Sequence, residues 1–414
     1  MDEAQDTPAR TLRFPLVRRQ LVVAADWLAV AIAVSLPWST SATAILVVLW
    51  LIALVPSLDP AQLRGELQSA AGGLPVLLWL LAALGMLWAD ATWAERLDGL
   101  GGFHRLLVIP LLLTQFRHSA RGVYPLYGFL VSCAVLLVMS VVTSLAAFSV
   151  AGKEPGIPVK DYIAQSTEFL VCGFVLAGLA VDRVRAGHDA WGFAIGAFAL
   201  LFFAGIFQTT FARTALIVFP VLALVLGFRL YRWRGVLVAV MAAMLIGAAL
   251  WTLSASLRER VARSIEEVQA YRAGNDISTS SGMRLEIWKG SLSFIASAPV
   301  LGHGTGSIRP LYRGAAGEAG SPLTTNPHSQ IFGVAIQLGL IGAALLVAMW
   351  AAHLALFRGF GPIAWIGTVV VVQNIVAGLF NSHLFDFFHG WLYVFGCGVA
   401  GGIALRRKSG GKQI

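Results

Sequence analysis

Apolar stretches of up to about twenty residues alternate with short polar segments from near residue 20 to near residue 405. A hydrocarbon core of about 30 Å takes about 20 helical residues to cross. The pattern therefore predicts transmembrane helices near 20–37, 41–57, 73–89, 104–116, 123–149, 165–181, 190–208, 213–228, 235–253, 329–356, 361–380 and 388–405. The expected fold class is an all-α integral membrane protein of about 12 transmembrane helices. The fourth run is short, starts at Arg105 and contains Pro110, so a tilted or partly re-entrant segment is expected there. Between the ninth and tenth runs lies a polar stretch. The chain thus divides into spans one to nine (1–253), a long loop (254–327), and spans ten to twelve with a tail (328–414).

That loop carries helical patterns of its own. Leu257, Val261, Ile265 and Val268 recur at helical spacing among Arg258, Arg260, Arg263, Glu266 and Glu267, which predicts an amphipathic helix suited to a membrane surface. A second helix is expected to start after Ser280-Ser281, to include Arg284, Ile287, Trp288 and Leu292, and to stop before Pro299. Gly302-His303-Gly304-Thr305-Gly306 has the glycine content of a phosphate loop, but no strand precedes it and no GK[ST] ends it, so it reads as a turn.

Composition agrees with the pattern: 57% of the residues are hydrophobic and 12% charged, against about a quarter charged in soluble domains. The net charge of +9 raises nucleic-acid binding as an idea. The basic residues, however, cluster at the ends of apolar runs, where they orient helices against lipid headgroups, and no nucleic-acid partner is expected. With the N-terminus inside, 17 of the 30 Lys and Arg fall in cytoplasmic segments, 5 in short outer loops and 8 in the long loop. This asymmetry predicts cytoplasmic termini and a 254–327 loop on the non-cytoplasmic side. Cys133, Cys172 and Cys397 each lie inside an apolar run, so neither a disulfide nor a metal site is expected of them. Asp26, a carboxylate inside the first span near its cytoplasmic end, is expected to serve helix packing.

Candidate chemistry gathers at the outer face. Asn326-Pro327-His328 reads as an N-cap, an N1 proline and a first-turn histidine of span ten, with the helix N-terminus favouring a neutral imidazole. A neutral imidazole is what a general base requires. Arg213 opens span eight directly after the outer loop 208–212, and Arg284 lies in the long loop. Two guanidinium forks beside a base suit a phosphorylated substrate and its leaving group. Asn381, His383, Asp386 and His389 precede the last span and form a possible accessory cluster. No Asp-x-Asp occurs in the chain, which argues against metal-assisted glycosyl transfer.

His328-Ser329, followed after nine residues by Gly339-Leu340-Ile341-Gly342, resembles the H-[NSQ]-x9-G-x2-[GTY] pattern of the O-antigen ligase and O-antigen polymerase superfamily of bacterial cell envelopes. Arg213-Thr214-Ala215-Leu216 is similar to the family's Arg-x-x-x-Leu region, with the leucine one position early. Arg284 through Trp288, Pro299 and Gly302 resembles its long-loop Arg…Trp…Pro…Gly run. These motifs cover 208–345, and the rest of the chain agrees in hydropathy and span count. The resemblance implies a bacterial inner-membrane enzyme with a periplasmic active site and no cofactor. Such an enzyme transfers a glycan from undecaprenyl diphosphate, the donor, to lipid A core oligosaccharide, the acceptor. His328 would be the catalytic base and Arg213 and Arg284 would bind the diphosphate, with Asp386, His383 and Asn326 as accessory residues. An O-antigen polymerase or a protein O-oligosaccharyltransferase would share the donor. A flippase or transporter would be expected to show mid-membrane ionisable groups and internal repeats.

Overall fold

The computed structural model describes residues 7–150, 152–207, 212–253, 255–274, 279–319, 326–359 and 361–410, and these are helical with no strand among them. Most of the outer loop expected at 208–212 and the last stretch of the long loop, 320–325, lie outside the described residues. The helices are α1 (Thr7–Ser35), α2 (Thr40–Leu54), α3 (Pro60–Gln68), α4 (Ala70–Gly85), α5 (Trp93–His104), α6 (Val108–His118), α7 (Val123–Leu145) and α8 (Tyr162–Arg185). They continue as α9 (Asp189–Phe207), α10 (Arg213–Leu253), α11 (Ala255–Gly274), α12 (Ser280–Ser297), α13 (Ile308–Ala319), α14 (Gln330–Leu356), α15 (Pro362–Gly378) and α16 (Phe387–Gly410).

Among the described residues, 8 helical segments are long and apolar enough to cross a membrane, or up to 9 if α3 and α4, bent by 84°, form one span. The apolar α15 is shorter. These helices differ in how deeply they sit. Within its apolar window Arg213–Leu245 is 11% buried, whereas Phe387–Lys408 is 89% and Tyr162–Arg185 83% buried, so α8 and α16 form the centre and α10 the rim. Apolar side chains that face outward, such as Leu237, Val238 and Leu245 on α10, need a hydrocarbon surrounding.

One element departs from the hydropathy pattern. The fourth apolar run extends back through α5 and a single 3-10 turn at Arg105–Leu107, giving an apolar segment from Trp93 to His118. A capping box closes its start, the Thr92 hydroxyl accepting from the Glu95 N–H while the Glu95 carboxylate accepts from the Thr92 N–H at 3.0 Å. The eighth and ninth runs form two arms as expected: α10 is broken between them at Tyr231 (φ −137°, ψ 22°) and Arg232 (φ 56°, ψ −136°). There the two arms turn back on each other at glycines: a Cβ on Gly227 would stand 2.5 Å from the Gly235 oxygen.

Asp26 has the packing role expected of it. Gln115 Nε2 donates to its Oδ1 at 2.9 Å and Ser119 Oγ to its Oδ2 at 2.8 Å, with Arg121 at 3.4 Å. In the long loop, α11 and α12 form at the expected places and are tied together. Ser281 Oγ donates to Glu267 Oε2 and Tyr271 Oη to Glu286 Oε2, each at 2.5 Å.

Candidate functional site

His328 precedes the helix that was expected to contain it. Span ten starts at Gln330 with Ser329 as N-cap, so Asn326 is not the cap. The Asn326 side-chain oxygen instead accepts the His328 N–H at 2.9 Å, which closes a turn and holds His328 at φ +51°. Such a positive φ is uncommon for a residue with a Cβ, and where it occurs the surroundings must impose it. Here Trp288 Nε1 donates to the His328 carbonyl at 3.4 Å and stacks edge-on against Phe332. On the other side, Asn326 Nδ2 donates to Asn381 Oδ1 at 2.7 Å. The imidazole is half-buried, and Nδ1 has no protein partner among the described residues.

The His328 pKa is lowered for a different reason from the helix N-terminus. Burial, and then the charge of Arg284, press its pKa below the ordinary value, while the hydrogen bond to Asn381 works the other way. Arg284 on α12 is itself half-buried, its pKa lowered by burial and then by the like charge of Arg213. Arg284 thus acts on His328, and Arg213 on Arg284. Tyr162, at the start of α8, also acts on Arg284; no sequence motif marks it.

The start of α8 is the hub of the site. Ser166 Oγ accepts the Ala212 N–H at 3.3 Å, which seats the entry to Arg213. Thr167 Oγ1 shares a hydrogen bond of 3.2 Å with His389 Nε2. Gln165, Ser166, Thr167 and Glu168 are all buried, a polar run inside a span. Glu168 was missed as an intramembrane carboxylate, although such a run within an apolar stretch is the available signal.

Of the accessory residues, His383, Asp386 and His389 lie together, while Asn381 pairs with Asn326. Asp386 caps α16, accepting the His389 N–H at 3.3 Å, and His389 Nδ1 stands 3.0 Å from the same oxygen. Burial would raise the Asp386 carboxyl, but its bonds to His389 outweigh that and hold it well below the usual carboxylate range. The His383 ring lies 3.9 Å from that of His389, centroid to centroid. Burial, and then His389, keep His383 far below its ordinary pKa. Arg105 ties this turn down, its Nη1 donating to the Leu384 carbonyl at 3.2 Å and to the Asp386 carbonyl. Gln330 Oε1 accepts the Leu384 N–H at 2.8 Å, so the turn is also fixed to the start of α14. Asn326, His383 and Asp386 thus border the site without sharing one contact.

The Gly302–Gly306 stretch is a clasp. His303 and Gly304 N–H donate to the carbonyls of Ile336 and Gln337 at 2.8 and 2.9 Å, Thr305 N–H to that of Gly85 at 3.0 Å, and Gly306 N–H to Gln337 Oε1 at 2.8 Å. With these donors spent on α14 and α4, the loop has no amide nest left for a phosphate. The same clasp explains the glycine of the histidine motif. Gly339 breaks α14 at φ 64°, ψ −165°, and through that break Leu340 N–H reaches the Pro299 carbonyl at 2.8 Å.

Among the described residues no group of three or more His, Cys, Asp or Glu stands ready to hold a metal ion. The start of α8 is bonded to the entry of α10 through Ser166–Ala212 and to the first turn of α16 through Thr167–His389, and the start of α14 is bonded to the turn before α16 through Gln330–Leu384. Helix N-termini carry partial positive charge and unpaired N–H groups, which favours anions. No curated protein matches the chain. Residues 197–347, which include Arg213, Arg284, His328 and Gly339, match the family model described as O-antigen ligase. Over that stretch, which is less than half of its length, the chain is similar to the O-antigen ligase family.

Proposed function

We propose that the chain is an O-antigen ligase, transferring a glycan from undecaprenyl diphosphate to lipid A core oligosaccharide at the periplasmic face of a bacterial inner membrane. The observation that carries this reading is the series Arg213–Arg284–His328, in which burial and the charge of Arg284 lower the His328 pKa while Arg213 acts on Arg284. Similarity to the O-antigen ligase family supports lipid-linked glycans as the chemistry. The topology proposed with it has twelve spans with both termini cytoplasmic, which the distribution of Lys and Arg supports.

In the proposed step, His328 takes the proton of an acceptor hydroxyl as its oxygen attacks the anomeric carbon. The bond from that carbon to the diphosphate breaks, and configuration at the carbon inverts. Arg213 and Arg284 take up the negative charge of the departing lipid diphosphate, assisted by the helix N-termini. Buried polar atoms without protein partners among the described residues, His328 Nδ1, Gln330 Nε2 and both His383 nitrogens, border the path of the acceptor. An unmet buried polar group costs about 1–3 kcal/mol, so sugar hydroxyls or water that satisfy these atoms would be held there.

The test is transfer of a lipid-diphosphate-linked glycan to purified lipid A core, with EDTA present, by wild type and His328→Ala. The expected result is transfer by wild type and none by the folded variant. Wild-type transfer that EDTA abolishes refutes the metal-free step. Transfer that survives in the variant refutes the base. No wild-type transfer to lipid A core, with extension of a second lipid-linked glycan instead, replaces the ligase reading with a polymerase.

A further inference from the structure

A cavity of about 640 Å³ opens at the far end of the helices that build the site, within the ~300–1,000 Å³ typical of small-molecule pockets. The second halves of α8 and α16 and the first turns of α7 and α15 wall it, with Leu126, Val175, Ile366 and Val399 among its apolar lining. Along α8 its mouth at Arg183 lies roughly 30 Å from Tyr162 at 1.5 Å per residue, while its inner end at Val171 and Leu392 comes within about a turn of Thr167 and His389.

The mouth and the shaft differ in chemistry. Arg183 and Arg407 line the mouth, and both side chains are exposed. Neither has an ion-pair partner among the described residues. Asp182 also lines the mouth, but Arg229 Nη2 holds both of its oxygens, at 2.8 and 3.0 Å. The surplus charge at the rim is therefore positive. Inward, the wall runs up α8 to Val171 and along α16 to Leu392, roughly 18 Å of helix from Arg183 at 1.5 Å per residue. That is close to one leaflet of a hydrocarbon core about 30 Å thick.

We propose that this cavity binds one anionic glycerophospholipid, its phosphate between Arg183 and Arg407 and an acyl chain in the apolar shaft. Charge complementarity selects the occupant. A zwitterionic headgroup brings its own cation to the arginine pair, and a prenyl chain entering from the candidate site would leave both guanidinium groups without an anion. The site is independent of the glycan-transfer reading, because it needs neither donor nor acceptor.

The experiment uses the purified, delipidated full chain in mild detergent and measures binding of phosphatidylglycerol and phosphatidylcholine with identical acyl chains by native mass spectrometry. The comparison is wild type against Arg183→Gln/Arg407→Gln, two exposed positions whose replacement leaves the core untouched. Wild type is expected to prefer phosphatidylglycerol about tenfold or more, and the double variant to lose that preference, each basic residue contributing a comparable increment. Equal binding of both lipids by wild type overturns the proposal, as does a preference that survives the double substitution. Displacement of bound phosphatidylglycerol by a polyprenyl diphosphate also overturns it, since the shaft would then house the tail of another lipid. Because the readout is binding, failure of the transfer assay leaves this result unaffected.

Discussion

Replacing Gly339 by alanine should loosen the clasp that holds the first half of α14, the helix that follows His328. At φ 64° and ψ −165° the backbone occupies a region open essentially to glycine, and a residue with a Cβ there carries about 1–3 kcal/mol of strain. The added Cβ would also stand 2.6 Å from Leu301 N and closer still to the Val300 oxygen, contacts that only movement of the 299–302 backbone relieves. Together these terms come to about 3 kcal/mol against the closed arrangement, and since each 1.4 kcal/mol is tenfold, the open population should rise about a hundredfold. Amide hydrogen exchange followed by mass spectrometry reads this directly in the peptide covering residues 299–306. There the N–H groups of His303, Gly304 and Thr305 bond to Ile336, Gln337 and Gly85 carbonyls. Exchange should accelerate in that peptide and at Leu340, with α8 and α16 protected as before. Unchanged protection in the clasp would refute the reasoning, because the break in α14 would then not depend on glycine.

The acid limb of the rate profile should report Arg284. Its positive charge lowers the His328 pKa, so Arg284→Gln should raise that pKa and move the limb of kcat/KM to higher pH, whereas Arg284→Lys keeps the charge and the limb. Arg284→Lys should still transfer at least tenfold more slowly, because an ammonium cannot reproduce the bidentate fork; identical limbs in all three proteins would remove His328 as the titrating base. For Asp386, whose carboxyl is depressed in the fold, the contribution to stability is present above the unfolded value of about 3.9 and is lost as pH falls toward the folded value. Denaturation of wild type and Asp386→Asn should accordingly converge on acidification below about pH 4, the asparagine still capping α16; a constant gap would contradict the His389 pairing. Glu267→Ala, which removes the acceptor of both the Ser281 hydroxyl and its N–H, should weaken the start of α12 by about 1–2 kcal/mol. Limited proteolysis between α11 and α12 should then speed up, and equal cleavage would show that this cap is idle.

Hydropathy alone determined that this chain is helical and built for a membrane, because an apolar run of span length has no other way to satisfy its backbone in lipid. It also located α11 and α12 and stopped α12 ahead of Pro299, since helical periodicity and proline act within a few residues. His328, Arg213 and Arg284 were legible as outer-face candidates from their positions beside apolar runs. What links them was decided only by the tertiary structure. Arg213 and Arg284 are 71 residues apart in the chain, and burial of Arg284 beside Arg213 and His328 depends on α12 packing against the start of α14. The residues between the obvious candidates stayed hidden for the same reason. Tyr162, Thr167 and Glu168 read as ordinary members of a span until α8 is set between α10 and α16, and Gly302–Gly306 resembles a phosphate loop until α4 and α14 take up its N–H groups. The sequence states which side chains the membrane will not tolerate without a partner; packing decides which partner each one meets.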